Sequence, residues 1–123
     1  MKVVDVINYL NQYVPFKYFA NEFPESAKDD CGVVRVEGGD APDIYSVGIK
    51  SPSIQVLIRH KNVEQAESIA KQVWELFHAN EHYSIASTYV FLSRCDQSEP
   101  VYVGLDKNNR AVYSVNISCK VRE

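Results

Sequence analysis

Residues 111–123 read AVYSVNISCKVRE, and no other stretch constrains the fold as tightly. Tyr113, Val115, Ile117, Cys119 and Val121 fall on alternate positions, with Ser114, Asn116, Ser118, Lys120 and Arg122 between them. Side chains alternate across a strand, so this spacing predicts a strand with one apolar and one polar face. The polar face carries no acid, no histidine and no catalytic pair, which turns attention from site chemistry toward assembly.

The remaining periodicity supplies partners for that strand. Val3, Ile7, Leu10 and Val14 recur at helical spacing, widened by Val6, Tyr9 and Tyr13, and predict a helix over 2–13 that Pro15 stops. Phe16, Tyr18, Phe19 and Phe23 read as a short extended piece that packs down, and ESAKDD as a solvated turn. A brief strand is expected at 33–37, closed by Gly38 and Gly39. Residues 38–52, GGDAPDIYSVGIKSP, are punctuated by Gly, Pro and Asp and read as a long loop in which IYSVGI could add a strand piece. A loop of that length in a small domain is usually functional or flexible, which marks it for partner contact.

Ile54, Val56 and Ile58 alternate along 53–60, and Leu57 adds apolar surface on the second face, as in a central strand. Asn62 caps a helix, with Gln65 three residues on, and Val63, Ala66, Ile69, Ala70, Val73, Trp74 and Phe77 form its apolar stripe. Three strands then follow at 84–95, 100–105 and 111–123, with DKNNR (106–110) as a turn whose asparagines tolerate positive φ. The expected fold is α+β: a mostly antiparallel β-sheet with two α-helices packed on one face, in one domain over 1–123.

Composition narrows the chemistry. A net charge of −3 disfavours a protein that binds nucleic acid by neutralising many phosphates. No apolar run approaches the roughly 20 residues of a membrane span, and the first residues, MKVVDVINYL, lack the clean apolar segment of a signal peptide, so a cytoplasmic origin is expected. Cys31, Cys95 and Cys119 lack zinc-site spacing and read as buried thiols. His78 and His82 read as a solvated helix end, Asp29 and Asp30 as an acidic turn before a buried cysteine, and Asp40 and Asp43 as carboxylates that solvate their loop. No phosphate-loop, dinucleotide, nucleophile-elbow or metalloprotease motif occurs. No catalytic residue, cofactor or metal is therefore expected. Arg59, Lys61, Arg94, Lys107, Arg110, Lys120 and Arg122 are ordinary surface charges or, alternatively, line an interface or a lumen facing DNA or an acidic partner.

Two stretches, PSIQVLIRHKNVEQAESIAKQVWELF (52–77) and EPVYVGLDKNNRAVYSVNISCKVR (99–122), together resemble the phage minor capsid or tail-completion family, whose members resemble tail terminator proteins of long-tailed phages. The family's strand running into a helix near a pair of alanines is matched by Gln55, Val56, Arg59, Ala66 and Ala70. Its later pattern is matched by Pro100, Gly104, Asp106, Arg110, Ser114 and Asn116, with Asn109 where a small residue or Gly is usual. The N-terminal helix and the GGDAP loop also suit the family, and the likeness is firmest over 52–122.

The resemblance implies a hexameric ring that caps the finished tail tube, halts its polymerisation and presents a surface to the head connector. Partners would be copies of the chain itself, the major tail tube protein and the head–tail connector, with DNA passing only as cargo through the lumen and no membrane involved. The protein would reside at the head–tail junction of the virion after synthesis in the host cytoplasm, without enzymatic activity. Leu57 and Val112, apolar and off-phase, are interface candidates, joined by Arg59, Asp106 and Arg110. Asp40, Asp43, Tyr45 and Lys50 from the long loop are candidates for tube or connector contact. Two other classes remain: a small α+β ligand-binding or regulatory module, and a thiol enzyme using Cys31.

Overall fold

The computed structural model describes residues 1–27 and 29–123. Helix α1 (Val3–Tyr13) leads into β1 (Tyr18–Ala20), β2 (Cys31–Asp40) and β3 (Ile49–His60). Helix α2 (Val63–Phe77) follows, then β4 (Asn80–Ile85), β5 (Thr88–Cys95), β6 (Val101–Leu105) and β7 (Ala111–Arg122). The strands form one sheet in the order β1-β2-β3-β7-β5-β4, with β6 also beside β7. Every pairing is antiparallel except β1 with β2. The α+β class expected from the sequence is the class that forms.

Strand β7 organises the sheet because it is long and two-faced. Along one side it pairs with β3, from His60↔Ala111 to Ile49↔Arg122. Along the other, its first residues pair with β6 and its last with β5. Val115, Ile117, Cys119 and Val121 point into the core, where they meet Ile54, Val56 and Ile58 of β3. Both helices close over this face. Helix α1 supplies the buried Val6 and Leu10, and α2 supplies Ala66, Ala70, Val73 and Phe77. Each fully buried Val, Leu, Ile or Phe contributes about 1.5–3 kcal/mol, so this face carries most of the stability.

The local signals explain the helix ends. Asn62 Oδ1 accepts from the Gln65 amide at 3.2 Å, the cap read from the sequence, and such caps are typically worth about 1 kcal/mol. Helix α1 ends where the Val14 amide donates to Leu10 O at 2.7 Å, just before Pro15. The Tyr18 hydroxyl donates to Val14 O at 2.6 Å and so ties β1 to the helix end.

Several expected boundaries differ. Strand β2 continues through Gly38 and Gly39 to Asp40, and β3 begins at Ile49, so the expected loop over 38–52 shrinks to 41–48. Gly39 makes this possible: its φ is +62°, it sits in a register shift between Glu37 and Asp40, and a Cβ there would collide with the Ser51 carbonyl. The glycine pair is a bulge that bends the hairpin, not a stop. The strand expected over 84–95 is instead the hairpin β4–β5, turning at Ala86 with φ +53°. No glycine or asparagine marks that turn, so tertiary contacts supply the signal. Ser93 Oγ donates to Phe77 O at 2.7 Å and accepts from the Tyr83 hydroxyl at 2.6 Å, pinning β4, β5 and α2 together. Val63, placed in the buried stripe by periodicity, is 45% exposed at the start of α2.

Candidate functional site

The sheet face turned away from the helices carries most of the sequence candidates. Because Ile54, Val56 and Ile58 point to the core, Gln55, Leu57 and Arg59 point to this open face. Opposite them in register lie Asn116, Ser114 and Val112 of β7, and Arg35, Val33 and Cys31 of β2. Leu57 and Val112 are half-buried there, and Arg59 is buried.

Arg59 is the centre of a tied cluster. Its guanidinium carbon lies 4.2 Å from the Phe23 ring centroid, its Nε donates to Asp29 O at 3.2 Å, and an Nη donates to Cys31 Sγ at 3.1 Å. Phe23 and Asp29 come from the connection between β1 and β2, and both are held to the sheet by Arg59. Arg110 extends the cluster, reaching Asp29 Oδ1 at 3.3 Å and Asp106 Oδ2 at 2.8 Å. Asp106 Oδ1 accepts from the amides of Asn108 and Arg110 at 2.9 and 3.0 Å, and Asn109 takes φ +60°, so the turn is stapled by its own carboxylate. Desolvation works to raise the Asp106 pKa, but these hydrogen bonds and the Arg110 charge outweigh it and hold the group below its ordinary value.

A hydrogen-bonded track crosses the middle of the open face. Arg35 donates to Asn21 O at 2.7 Å and to Gln55 Oε1 at 3.1 Å. Gln55 Nε2 donates to Ser114 Oγ and Asn116 Oδ1, and Asn116 Nδ2 donates to Gln97 Oε1 at 3.1 Å. Gln55, Ser114, Asn116, Asp106 and Arg110, the polar markers of the sequence resemblance, are thus structural fasteners. Each satisfies a neighbour on a face that the helices leave uncovered.

Asp40, Asp43 and Tyr45 lie elsewhere. They occupy the end and tip of the β2–β3 hairpin, at the far end of β3 from Arg59, about 35 Å away along a 12-residue strand. Asp43 Oδ1 accepts from the Tyr45 amide at 2.8 Å and shapes the tip. Ile44, Tyr45 and Val47 are 81%, 90% and 89% exposed, an apolar tip without intramolecular packing. Lys50 sits at the root, paired with Glu123 at 3.2 Å. The structure therefore gathers Leu57, Arg59, Asp106, Arg110 and Val112 at one end and leaves Asp40, Asp43 and Tyr45 at the other.

The sequence reading passed over one more surface. Strand β6 pairs with β7 on one side only, and Val101, Tyr102, Val103 and Leu105 are all exposed along it. Gly104, with φ +130°, sits in a register shift that twists this edge. Short apolar runs with an unpaired edge favour pairing with another chain. The signal was present in VYVGL, but which edge of a strand stays unpaired depends on sheet order, which periodicity does not give.

The alternative chemistries find little support in the geometry. Cys31, Cys95 and Cys119 are buried, as expected. Burial raises the Cys31 thiol, partly offset by Arg59, and pushes Cys95 and Cys119 up to about 12, away from thiolate chemistry at neutral pH. His78 follows the end of α2, stacked on Trp74 with ring centroids 4.3 Å apart, and its Nδ1 accepts from the Cys95 amide, while His82 belongs to β4. The cleft between α1 and β4 is lined by Asp5, Asn8, Tyr9, Gln12, Ser84 and Ala86 and lacks the apolar walls of a small-molecule site.

A family described as bacteriophage tail terminator protein matches residues 5–123. The chain belongs to the bacteriophage tail terminator family. A solved chain known only by a sequence identifier superimposes with a TM-score of 0.62 at 11% identity, over 100% of this chain and 97% of that one. At that identity the likeness shows the fold alone. No curated protein matches. Membership of the terminator family gives the chain a structural role in a phage tail and a place in the virion. No helix among the described residues is long and apolar enough to cross a membrane.

Proposed function

We propose that this terminator-family chain closes the end of a phage tail tube as a hexameric ring. The ring halts tube polymerisation and offers its outer surface to the head–tail connector, while DNA passes through the lumen as cargo. The observation that carries this reading is the pair of separate, unpartnered apolar surfaces: the β2–β3 tip with Ile44, Tyr45 and Val47, and the free edge of β6. A ring subunit needs surfaces for its two neighbours and for what lies above and below, and these exposed apolar surfaces are suited to such contacts. The half-buried Leu57 and Val112 extend the apolar area of the open face toward such contacts.

The role is structural, without catalysis or a cofactor. Synthesis in the host cytoplasm followed by incorporation at the head–tail junction fits a chain of this kind.

Light scattering over a wide concentration range, with and without polymerised tail tubes, tests the reading. A six-fold mass, in solution or on tube ends, is expected. A chain that stays monomeric and leaves tubes free to elongate overturns it. A Leu57→Asp variant should lose the six-fold mass while its monomer keeps the native circular dichroism; an unfolded variant would place Leu57 in the core instead.

A further inference from the structure

The β2–β3 hairpin beyond its glycine bulge and the open face of β5 and β7 differ in a complementary way. The hairpin is acidic and apolar. Asp40 and Asp43 are exposed along it and make no ion pair among the described residues, and Ile44, Tyr45 and Val47 project from its tip. The open face of β5 and β7 is basic and apolar. Arg94 stands opposite Ser118, Leu92 opposite Lys120, and Tyr89 opposite Arg122. Arg94, Lys120 and Arg122 are exposed and make no ion pair among the described residues.

Apolar surface lies among these cations. Tyr89 and Leu92 are 37% and 38% exposed, and the Arg122 guanidinium lies 5.4 Å from the centroid of the Phe91 ring. Acids border this face at Glu81, across from Leu92, and at Asp96, which accepts from Ser118 Oγ at 2.6 Å. Within one chain the two surfaces adjoin in the same sheet, where Ile49 at the root of the arm stands opposite Arg122, but the tip itself stays almost wholly exposed.

We infer that the acidic, apolar-tipped β2–β3 arm of each copy docks on the basic open face of β5 and β7 of the next copy. This rests on the ring reading above and names the contact that would build the ring. The patches are different surfaces, so the contact is head-to-tail, and a head-to-tail contact builds a ring when the rotation between copies closes. Charge brings the arm to the face and sets its register, while Tyr45 and its neighbours bury against Tyr89 and Leu92.

Paired cysteines test this directly, since the native thiols are buried. Tyr45→Cys and Leu92→Cys are made singly and together, oxidised with and without polymerised tail tubes, and run on non-reducing gels. Mass is measured on the same samples. The double variant should give a ladder that extends beyond dimer, and each single variant should run as a monomer on the gel while keeping the six-fold mass. Asp40→Lys should weaken assembly roughly tenfold, and Arg94→Glu with Lys120→Glu added should restore it. A six-fold mass without the ladder overturns the arm contact and leaves the ring standing. Dimers from Tyr45→Cys alone mean that tip meets tip, which also overturns it. Cross-linking of Tyr45→Cys to the tube protein reassigns the arm to the tube. A monomer that neither ladders nor binds tubes removes both the contact and the ring.

Discussion

The two ends of the β2–β3 hairpin share the same strands and behave oppositely. At the Arg59 end, Phe23, Asp29, Cys31, Asp106 and Arg110 tie to one another and to Arg59 across the sheet surface. At the other end, past Gly39, three apolar side chains stand in solvent and two aspartates flank a proline. A fold gains nothing from exposed apolar side chains, so the bare end makes sense as surface meant for another molecule. The tied end makes sense as what keeps an uncovered sheet face rigid enough to present that surface.

Replacing Arg59 should separate the ends most sharply. Arg59→Leu removes a stacked guanidinium and its hydrogen bonds to Asp29 O and Cys31 Sγ from a buried position, and should lower stability by about 3 kcal/mol. Chemical denaturation would show it as a fall in the unfolding midpoint. An effect no larger than that of a surface substitution would mean that the tied end is not tied by Arg59. Gly39→Ala should come next. It forces an alanine into φ +62° with its Cβ against the Ser51 carbonyl, at a cost of about 2 kcal/mol. It should also re-aim the arm, so assembly should suffer more than stability does.

The sequence announced these two ends unequally. The class of the fold was readable because β7, β3 and both helices carry strong periods. The tied end was half readable. Asp106 and Arg110 were marked by the turn and by family likeness, but Phe23 and Asp29 lie more than 25 residues from Arg59 in the chain, and nothing local links them. The arm was readable as a place of interest but not as a shape. Gly38 and Gly39 look like a stop, and only pairing across to Ser51 shows them to be a bulge within a strand. The β4–β5 turn was invisible because Ala86 has no turn propensity and adopts positive φ under tertiary constraint.

Acid should loosen the tied end in a predictable direction. The Asp106 pKa is lowered in the folded chain, so its contribution is complete above the ordinary carboxylate value of 3.8 and is lost as pH falls through the lowered folded value. Thermal midpoints measured from pH 6 to pH 2 should therefore drop in the acid range. Asp106→Asn should flatten part of that drop while lowering the midpoint at pH 6 by the equivalent of about 1 kcal/mol. If the variant kept the full acid dependence, other carboxylates would carry it, and the turn would be held by its backbone alone.

The smallest expected effect on stability carries the comparison furthest. Ile44→Ser, Tyr45→Ser and Val47→Ser alter side chains that are more than four-fifths exposed and touch no core residue, so each should shift unfolding by less than about 0.5 kcal/mol. The combined variant should melt like the parent, yet its six-fold mass should disappear. A stable, monomeric triple variant would show that the arm contributes to assembly and not to folding, the reverse of Arg59. A variant that lost stability on the scale of Arg59→Leu would mean that the arm packs on its own sheet in solution. The contrast between a tied end and a bare end would then fail, and with it the case for reading exposure at the tip as surface reserved for a neighbour.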